Sequence, residues 1–333
     1  MFKNMMNRYY YGKSGQGDYE KEDLPRTRLQ LFWEMLRNRF GALIRLNLMY
    51  AVVWLPAMYV IFRMVTSIFT LLAAVEDPTL LQTEGATAAV TDIPSMFHST
   101  IFYSLLFLVP CIAITGPFTA GLCYVTRNWA RDEHAFIWSD MKDAMKENWK
   151  SALGLSAITS VIPFLAWTCW RFYGGLAATN WIMTVPQMGV LMLAIIWFLA
   201  ITYAFPMLVT YKMSFATIIR NSLLLAVGRL PLSVGIRLLH CVPVLLAVVL
   251  TFLLNSLWVP LGLFAYYVLI GFTLSRFVTA SFTNAQFDKY INSRIEGAEV
   301  NRGLAEEDDE DYEEEEEERE LKPWENGYVN KDN

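Results

Sequence analysis

The densest group of side chains that could take part in chemistry lies in one short segment before the middle of the chain. It contains Arg127, Arg131, Asp132, Glu133 and His134. A hydrolytic metal site would place its ligands at a fixed helical spacing such as His-Glu-x-x-His, and no such spacing surrounds His134. The mixture of charge signs instead favours an ion-paired loop, so we expect this group to be structural rather than catalytic.

Nucleophilic and phosphate-binding motifs are equally weak. The four cysteines lie singly inside apolar runs, without a Cys-x-x-Cys pair or metal-ligand spacing, which favours buried thiols. They are Cys111, Cys123, Cys169 and Cys241. Gly12-Lys13-Ser14 resembles the end of a phosphate-binding loop, but Asn7 stands where that motif requires glycine. We therefore expect no metal, no cofactor and no enzymatic activity, and a membrane enzyme is the least favoured function.

The composition is that of a membrane protein with an acidic tail. Of the 333 residues, 55% are hydrophobic and 18% are charged, whereas a soluble domain carries more charge and fewer apolar runs. Residues 284–333 hold 18 of the 32 acidic residues but only 6 of the 27 basic ones. A block of like charge repels itself and cannot bury a core, so we expect a disordered tail after Glu306.

Apolar runs predict an all-α fold, an integral membrane bundle of six transmembrane helices. A span needs about 20 apolar residues. The predicted spans are roughly 41–72, 98–126, 151–170, 181–210, 232–254 and 258–283. Short amphipathic interfacial helices are predicted at 29–40, 139–150 and 211–231. The chain thus divides into an N-terminal segment (1–28), a six-span domain (29–283), and an exit helix with the acidic tail (284–333).

The arrangement of Lys and Arg predicts the orientation. The basic residues concentrate in every second connection, which by the positive-inside rule places both termini in the cytoplasm of a cell-membrane protein. An amphipathic basic helix also precedes a pair of spans three times, at 29–72, 139–170 and 214–254. We therefore advance a fold of three repeated hairpins as a hypothesis.

A broken helix followed by an amphipathic one is the most informative local pattern. Pro110 and Gly116-Pro117 interrupt the second predicted span. After the Arg127 to Asp132 exit, Ser139 could cap a helix with Asp140 in its first turn. Its tryptophans and methionines recur at steps of three or four, on one face. They are Trp138, Met141, Met145 and Trp149. This face could dock a partner, or it could lie at the lipid headgroups.

Three basic side chains fall inside the last two predicted spans. Arg237 and Arg276 lie toward the ends assigned to the cytoplasm, so we expect their side chains to extend to the interface. His240 lies deeper, and we favour a neutral, hydrogen-bonded imidazole over a proton relay.

The chain resembles the YesL-like family of bacterial multi-pass membrane proteins, which is built on a domain of unknown function. The resemblance rests on Gly116-Pro117, Ala120, the Arg127 to Asp132 exit, and the run from Trp138-Ser139-Asp140 to Asn148-Trp149. It implies a protein of the cytoplasmic membrane that accompanies sugar-importing ABC systems and their two-component regulators, and it supplies no catalytic residue. The candidate interaction or hinge residues are Gly116, Pro117, Arg127, Arg131, Asp132, Trp138, Asp140 and Trp149.

Two functions follow as expectations. The first is a non-enzymatic accessory or regulatory component of carbohydrate ABC uptake, whose partners would be the lipid bilayer, transporter subunits or a sensor kinase, and not nucleic acid. The alternative is a transporter or channel for a small solute, because broken helices often line transport paths. The connection at 211–231 lacks the coupling pattern of an ABC permease, which argues against that role.

Overall fold

A computed structural model of the chain describes residues 24–76, 93–254, 256 and 258–305, and within them the regular structure is entirely helical. The α-helices are α1 (Arg28–Glu76), α2 (Ile93–Ala113), α3 (Gly116–Trp129), α4 (Ser139–Ala177), α5 (Thr184–Thr210), α6 (Phe215–Gly228), α7 (Leu230–Leu254), α8 (Trp258–Tyr266) and α9 (Phe272–Tyr290). A π-helical turn, Tyr267–Gly271, joins α8 to α9. Short 3-10 turns lie at Trp181–Met183 and Asn292–Arg294.

Six stretches are long and apolar enough to cross a membrane, as predicted. They are Arg28–Val75, Ile93–Ala113, Ser139–Ala177, Trp181–Thr210, Leu230–Thr251 and Trp258–Arg294. Their outward sides carry large apolar residues, which is the reverse of a soluble protein and is what lipid contact requires. The architecture is therefore that of a multi-pass membrane protein. Its orientation and the three-hairpin repeat stay predictions.

Two of the amphipathic segments are not separate helices. Residues 29–40 are the first turns of α1, which has 49 residues, and residues 139–150 are the first turns of α4, which has 39. At 1.5 Å per residue, α4 is about 58 Å long, nearly twice the hydrocarbon thickness of a bilayer. Only the third amphipathic segment forms its own short helix, α6.

The second predicted span is two helices rather than one. The chain turns at Ile114 and Thr115, so the candidate span ends at Ala113 and a separate buried helix, α3, follows. Pro117 occupies the first turn of α3, where its missing N–H costs nothing and its fixed φ suits helix initiation. The predicted cap is also wrong: Trp138 holds the N-cap position of α4 and Ser139 lies inside the helix.

The helix α3 lies at the centre of the packing. Ten of its 14 residues are buried. One apolar cluster joins Ala120 and Cys123 of α3 to α4, α5, α6 and α9. A second joins Leu122 and Trp129 of α3 to α1, α4 and α9. Both clusters share this helix, so α3 packs against the helices of each cluster at the same time.

The π-helical turn is held by one buried amide. The Nδ2 of Asn47 in α1 donates to the carbonyl oxygens of Tyr267 and Val268, at 2.9 and 2.7 Å. The Oδ1 of Asn47 accepts from the backbone N–H of Thr273 at 2.8 Å. A π turn leaves backbone groups without helical partners, and a bilayer offers no water to satisfy them. Asn47 therefore links α1 to the π-helical turn and to the start of α9.

Of the remaining predictions for the ends of the chain, one concerns residues that the structure describes and the others do not. The predicted helical exit from residue 284 is present, since α9 continues to Tyr290 and a 3-10 turn follows. The acidic tail from Glu306, the first 23 residues and the connection at 77–92 lie outside the described residues.

Gly116 lies directly against the backbone of α4. A Cβ at this position would lie 2.3 Å from the carbonyl oxygen of Ala152 and 2.7 Å from its carbon. Small residues at such crossings allow two membrane helices to approach closely. The break in the second span therefore serves close helix packing at this point.

We expect Gly116→Ala to destabilise the protein by about 1–3 kcal/mol, because the added methyl group would force α3 away from α4. Thermal unfolding of the purified protein in detergent measures the change. Gly189→Ala in α5 is the matched control, since a Cβ there meets nothing within 4 Å. It should leave the melting temperature unchanged or raise it. Equal melting temperatures for the two variants would contradict the packing argument.

Candidate functional site

A buried polar network ties together one end of the bundle, which we call the polar end. It joins the start of α1, the connection between α3 and α4, the ends of α5 and α9, and residues 301–305. The buried polar residues of this region are Asn128, Arg131, Asn284, Asp288 and Asn292. Buried polar groups in a membrane protein need internal partners, so the network can be followed bond by bond.

Asp288 is its hub. One carboxylate oxygen accepts from Nη2 of Arg28 at 2.5 Å and from the backbone N–H of Asn301 at 3.3 Å. The other accepts from Nδ2 of Asn292 at 2.6 Å. The side chain of Asp288 is only 5% exposed. Asn292 in turn accepts from the hydroxyl of Tyr211 at 2.7 Å. One carboxylate thus joins the start of α1, the ends of α5 and α9, and the segment after α9.

The connection between α3 and α4 is fixed by charge and by one unusual backbone conformation. Asp132 has φ of 55°, in the left-handed region that non-glycine residues seldom adopt. Its carboxylate lies 3.9 Å from Nη2 of Arg39 in α1. Arg131 Nε lies 3.2 Å from Glu133, an ion pair without hydrogen-bond geometry. The guanidinium of Arg39 also stacks on the buried ring of Trp129, at 5.8 Å.

Burial shifts the titration of the groups at this end. It lowers the pKa of the Arg127 guanidinium, and the neighbouring charge of Arg131 lowers it further. It raises the pKa of the Asp132 carboxyl, an effect that Arg39 opposes. It raises the pKa of the Tyr211 phenol to about 12, with help from the negative charge of Asp288. These shifts reflect desolvation of a packed interior.

The predicted residues fall into three separate places. Gly116 and Pro117 begin α3 and lie at its far end from Arg127. Arg127, Arg131 and Asp132 lie within the polar end. The remaining three, Trp138, Asp140 and Trp149, belong to the start of α4. Asp140 has a structural task, because its Oδ2 accepts from the backbone N–H of Phe136 at 2.9 Å. The structure does not bring all eight residues into one site.

The sequence analysis missed the hub itself. Asn284, Asp288 and Asn292 recur every four residues and so form one polar stripe on the exit helix. That spacing, next to apolar residues on the other faces, was the signal available. Arg28, the partner of Asp288, lies 260 residues away in sequence, and no local pattern predicts such a contact.

The arrangement can hold helices in place and present side chains to a partner. Within the described part of the chain, no three His, Cys, Asp or Glu residues are grouped so that they could hold a metal. Glu133 is shared by Arg131 and Arg302, and Asp288 is bound by Arg28. Charges neutralised in this way act as a clamp.

The first turns of α4 leave a charged and aromatic surface free, which we call the α4 face. It consists of Trp138, Lys142, Lys146, Trp149 and Lys150, all exposed and recurring at helical spacing. The methionines predicted on the same face as the tryptophans point differently: Met141 is buried and contacts Gly121 of α3. The α4 face thus carries three lysines and two tryptophans, with the exposed acids Asp143 and Glu147 beside the lysines, and the opposite side of the helix packs against α3.

We expect Asp288→Ala to destabilise the protein by about 3–5 kcal/mol, because Arg28 loses its acidic partner and the N–H groups of Asn292 and Asn301 lose their acceptor. Limited proteolysis and thermal unfolding in detergent measure the loss. Glu299→Gln is the control, since its ion pair with Arg302 is exposed and such pairs contribute little. If the Asp288 variant melts with the control, the hub does not hold this end together.

We expect stability to fall as the pH rises from about 10 to about 12, in proportion to the ionisation of Tyr211. The phenol ionises near pH 10 in the unfolded chain and near 12 in the folded protein, so its contribution is complete below about 10. Unfolding of wild type and Tyr211→Phe across this range measures it, since phenylalanine has no proton to lose. Parallel stability curves for the two proteins would contradict the assignment.

Comparison with known proteins identifies a family domain within the chain. The chain is 25% identical over 174 residues to the "Uncharacterized protein YesV" of Bacillus subtilis (strain 168), which is 51% of this chain and 78% of that protein. No solved structure matches the chain. Residues 96–168, which include α3 and the α4 face, match the family described as "Protein of unknown function, DUF624". This part of the chain therefore carries a DUF624 family domain.

Proposed function

We propose that the protein is a non-enzymatic accessory or regulatory component of a membrane system, and that it docks a partner through the α4 face. The observation that carries the proposal is the exposure of Trp138 and Trp149, 64% and 50%, on a helix whose opposite side is packed against α3. Exposed tryptophans beside cations are typical of surfaces that bind another protein.

The continuity of α4 favours a protein partner over lipid headgroups. An amphipathic helix that serves the interface lies flat in it. The α4 face is instead the beginning of a helix that continues through a candidate span, so it extends beyond the apolar part of that span. Such a face meets a partner that also projects from the membrane.

The polar end supports this proposal because it makes the face rigid. Met141 packs on Gly121 of α3, and the connection before α4 is clamped by the ion pairs of Arg131 and Asp132. Preorganised surfaces lose less conformational entropy on binding. In the proposed orientation the face lies in the cytoplasm, and the charge of its three lysines calls for an acidic partner surface.

The resemblance to the YesL-like family suggests which partner to test. We propose a subunit of a sugar-importing ABC system, either permease or ATPase, or an associated sensor kinase. The alternative, transport of a small solute by this chain, draws on the prolines inside five helices, at positions 56, 110, 163, 206 and 243. The contact of Gly116 with α4 weakens it, because a break that lines a path would face a cavity.

The test is photo-crosslinking in intact bacteria that express the full chain. A photoreactive amino acid in place of Trp138 or Trp149 should crosslink to a permease, ATPase or sensor-kinase subunit, identified by mass spectrometry. The same probe in place of Trp181 is the matched control. Trp181 is as exposed as the other two but lies at the end of the chain's α4–α5 connection.

The proposal makes a second demand on the same protein. Replacing Lys142, Lys146 and Lys150 together by glutamine should remove the crosslink at Trp138 while leaving the melting temperature unchanged, since all three side chains are exposed. Crosslinks to lipid alone at both tryptophans, or a crosslink to the same subunit from Trp181, would overturn the assignment of the α4 face.

A further inference from the structure

In α7 and α9, Arg237 and Arg276 have no acidic partner among the residues that the structure describes. Arg237 is on α7 and Arg276 is on α9. Neither forms an ion pair or a hydrogen bond with any residue that the structure describes. Charged side chains within transmembrane segments are costly, and they mark functional sites when they persist.

Arg237 is partly buried and packs against an aromatic ring. Its guanidinium stacks on the ring of Phe198 in α5, 4.4 Å from the centroid. The Nε and Nη2 atoms are buried and have no acceptor. Arg237 comes eight residues after Arg229, the residue that precedes α7, which is a rise of about 12 Å. The extension of this side chain to the interface stays a prediction.

Arg276 and His240 complete the group. The guanidinium of Arg276 lies 5.6 Å from the ring of Phe205, one heptad after Phe198 on α5. A contact of His240 in α7 with Ser275, the residue before Arg276, brings the two helices together here, and like charges at such a crossing repel each other. His240 is hydrogen-bonded as expected: its ring nitrogens contact the carbonyl oxygens of Ile236 and Ser275 at 2.6 and 2.9 Å. Its hydrogen bonds tie α7 to α9 beside both arginines.

Aromatic rings stabilise these cations only in part. Cation–π contacts offset some desolvation, but they provide no acceptor for the guanidinium N–H groups. Repulsion between the two arginines adds to the cost. The contact that would relieve both is an anion with several oxygens, because arginine binds phosphate and carboxylate through paired hydrogen bonds.

An apolar cleft begins about one helical turn from this group on the same two helices, at Val244 of α7 and Phe272 of α9. It has a volume of about 560 Å³ and lies between α1, α7, α8 and the start of α9. On α7 its lining includes Val244, Ala247, Val248 and Thr251. With Arg237 and His240 these residues recur at steps of three and four, so they form one stripe of the helix. On α9 the lining residue Phe272 lies one turn from Arg276.

We propose that this group and the cleft form a single binding site for an acidic phospholipid. The headgroup phosphate lies between Arg237 and Arg276, and the acyl chains occupy the cleft. The stripe on α7 carries charge at one end and only apolar or hydroxyl side chains beyond it, which matches the order of groups in such a lipid. Basic pockets between transmembrane helices bind acidic lipids in this way. A free anion would leave the cleft unfilled.

The test is a lipid titration of the purified full chain in detergent, followed by native mass spectrometry. Phosphatidylglycerol should bind at least about 10-fold more tightly than phosphatidylcholine, whose headgroup has no net charge. Arg237→Met and Arg276→Met should each weaken phosphatidylglycerol binding by about 10-fold or more. Arg229→Met, a change of the same kind just before α7, should not.

A second pair of variants tests the cleft and leaves both arginines in place. Val248→Trp fills the cleft and should weaken phosphatidylglycerol binding. Val249→Trp, at a neighbouring residue of similar exposure that does not line the cleft, should not. This arm decides the question even if a methionine variant fails to fold.

Three results would overturn the proposal. Equal binding of the two lipids would show that the site does not distinguish them by the net charge of the headgroup. Unchanged binding by Val248→Trp would show that the acyl chains lie elsewhere. Full competition by inorganic phosphate or glycerol phosphate would show that the arginines hold a soluble anion rather than a lipid.

Discussion

Close contact between α3 and α4 is the constraint on which the rest of the bundle depends. In lipid, helices are not driven together by the hydrophobic effect, so association rests on packing and on hydrogen bonds. Gly116 brings the start of α3 onto the backbone of Ala152, and Gly121 brings its middle onto Met141. Because α3 also contributes to both apolar clusters, a displaced α3 would loosen α1, α5 and α9 together.

The sequence was sufficient for the number of spans and insufficient for the lengths of helices. Apolar composition marks where a chain meets lipid, and all six spans follow from it. It does not mark where a helix ends, because charged residues such as Arg37 and Lys146 are good helix formers. The first turns of α1 and α4 were therefore assigned to separate helices. The turn at Ile114 and Thr115 was placed within two residues, since Gly116-Pro117 is a strong local signal.

In the candidate site, too, contacts between neighbours in sequence were predicted and contacts between distant residues were missed. The segment from Arg127 to Asp132 was predicted as an ion-paired connection because its charges are neighbours in sequence. The hub at Asp288 was not predicted, since Arg28 becomes its partner only once α1 and α9 are packed side by side. The left-handed Asp132 was equally hidden, because it takes the place that glycine usually holds after a helix end: its N–H donates to the carbonyl of Trp129, and that of Glu133 donates to Asn128.

The arginines of the polar end and those inside α7 and α9 differ in the groups that they contact. At the polar end Arg28, Arg131 and Arg302 each lie beside a carboxylate supplied by the chain. Deeper in the bundle Arg237 and Arg276 face aromatic rings instead. A chain that needed these deeper charges only for structure could have neutralised them with one internal acid, as it does with Asp288. Among the residues that the structure describes, neither arginine has such an acid, so both positive charges stay unpaired where α7 and α9 meet.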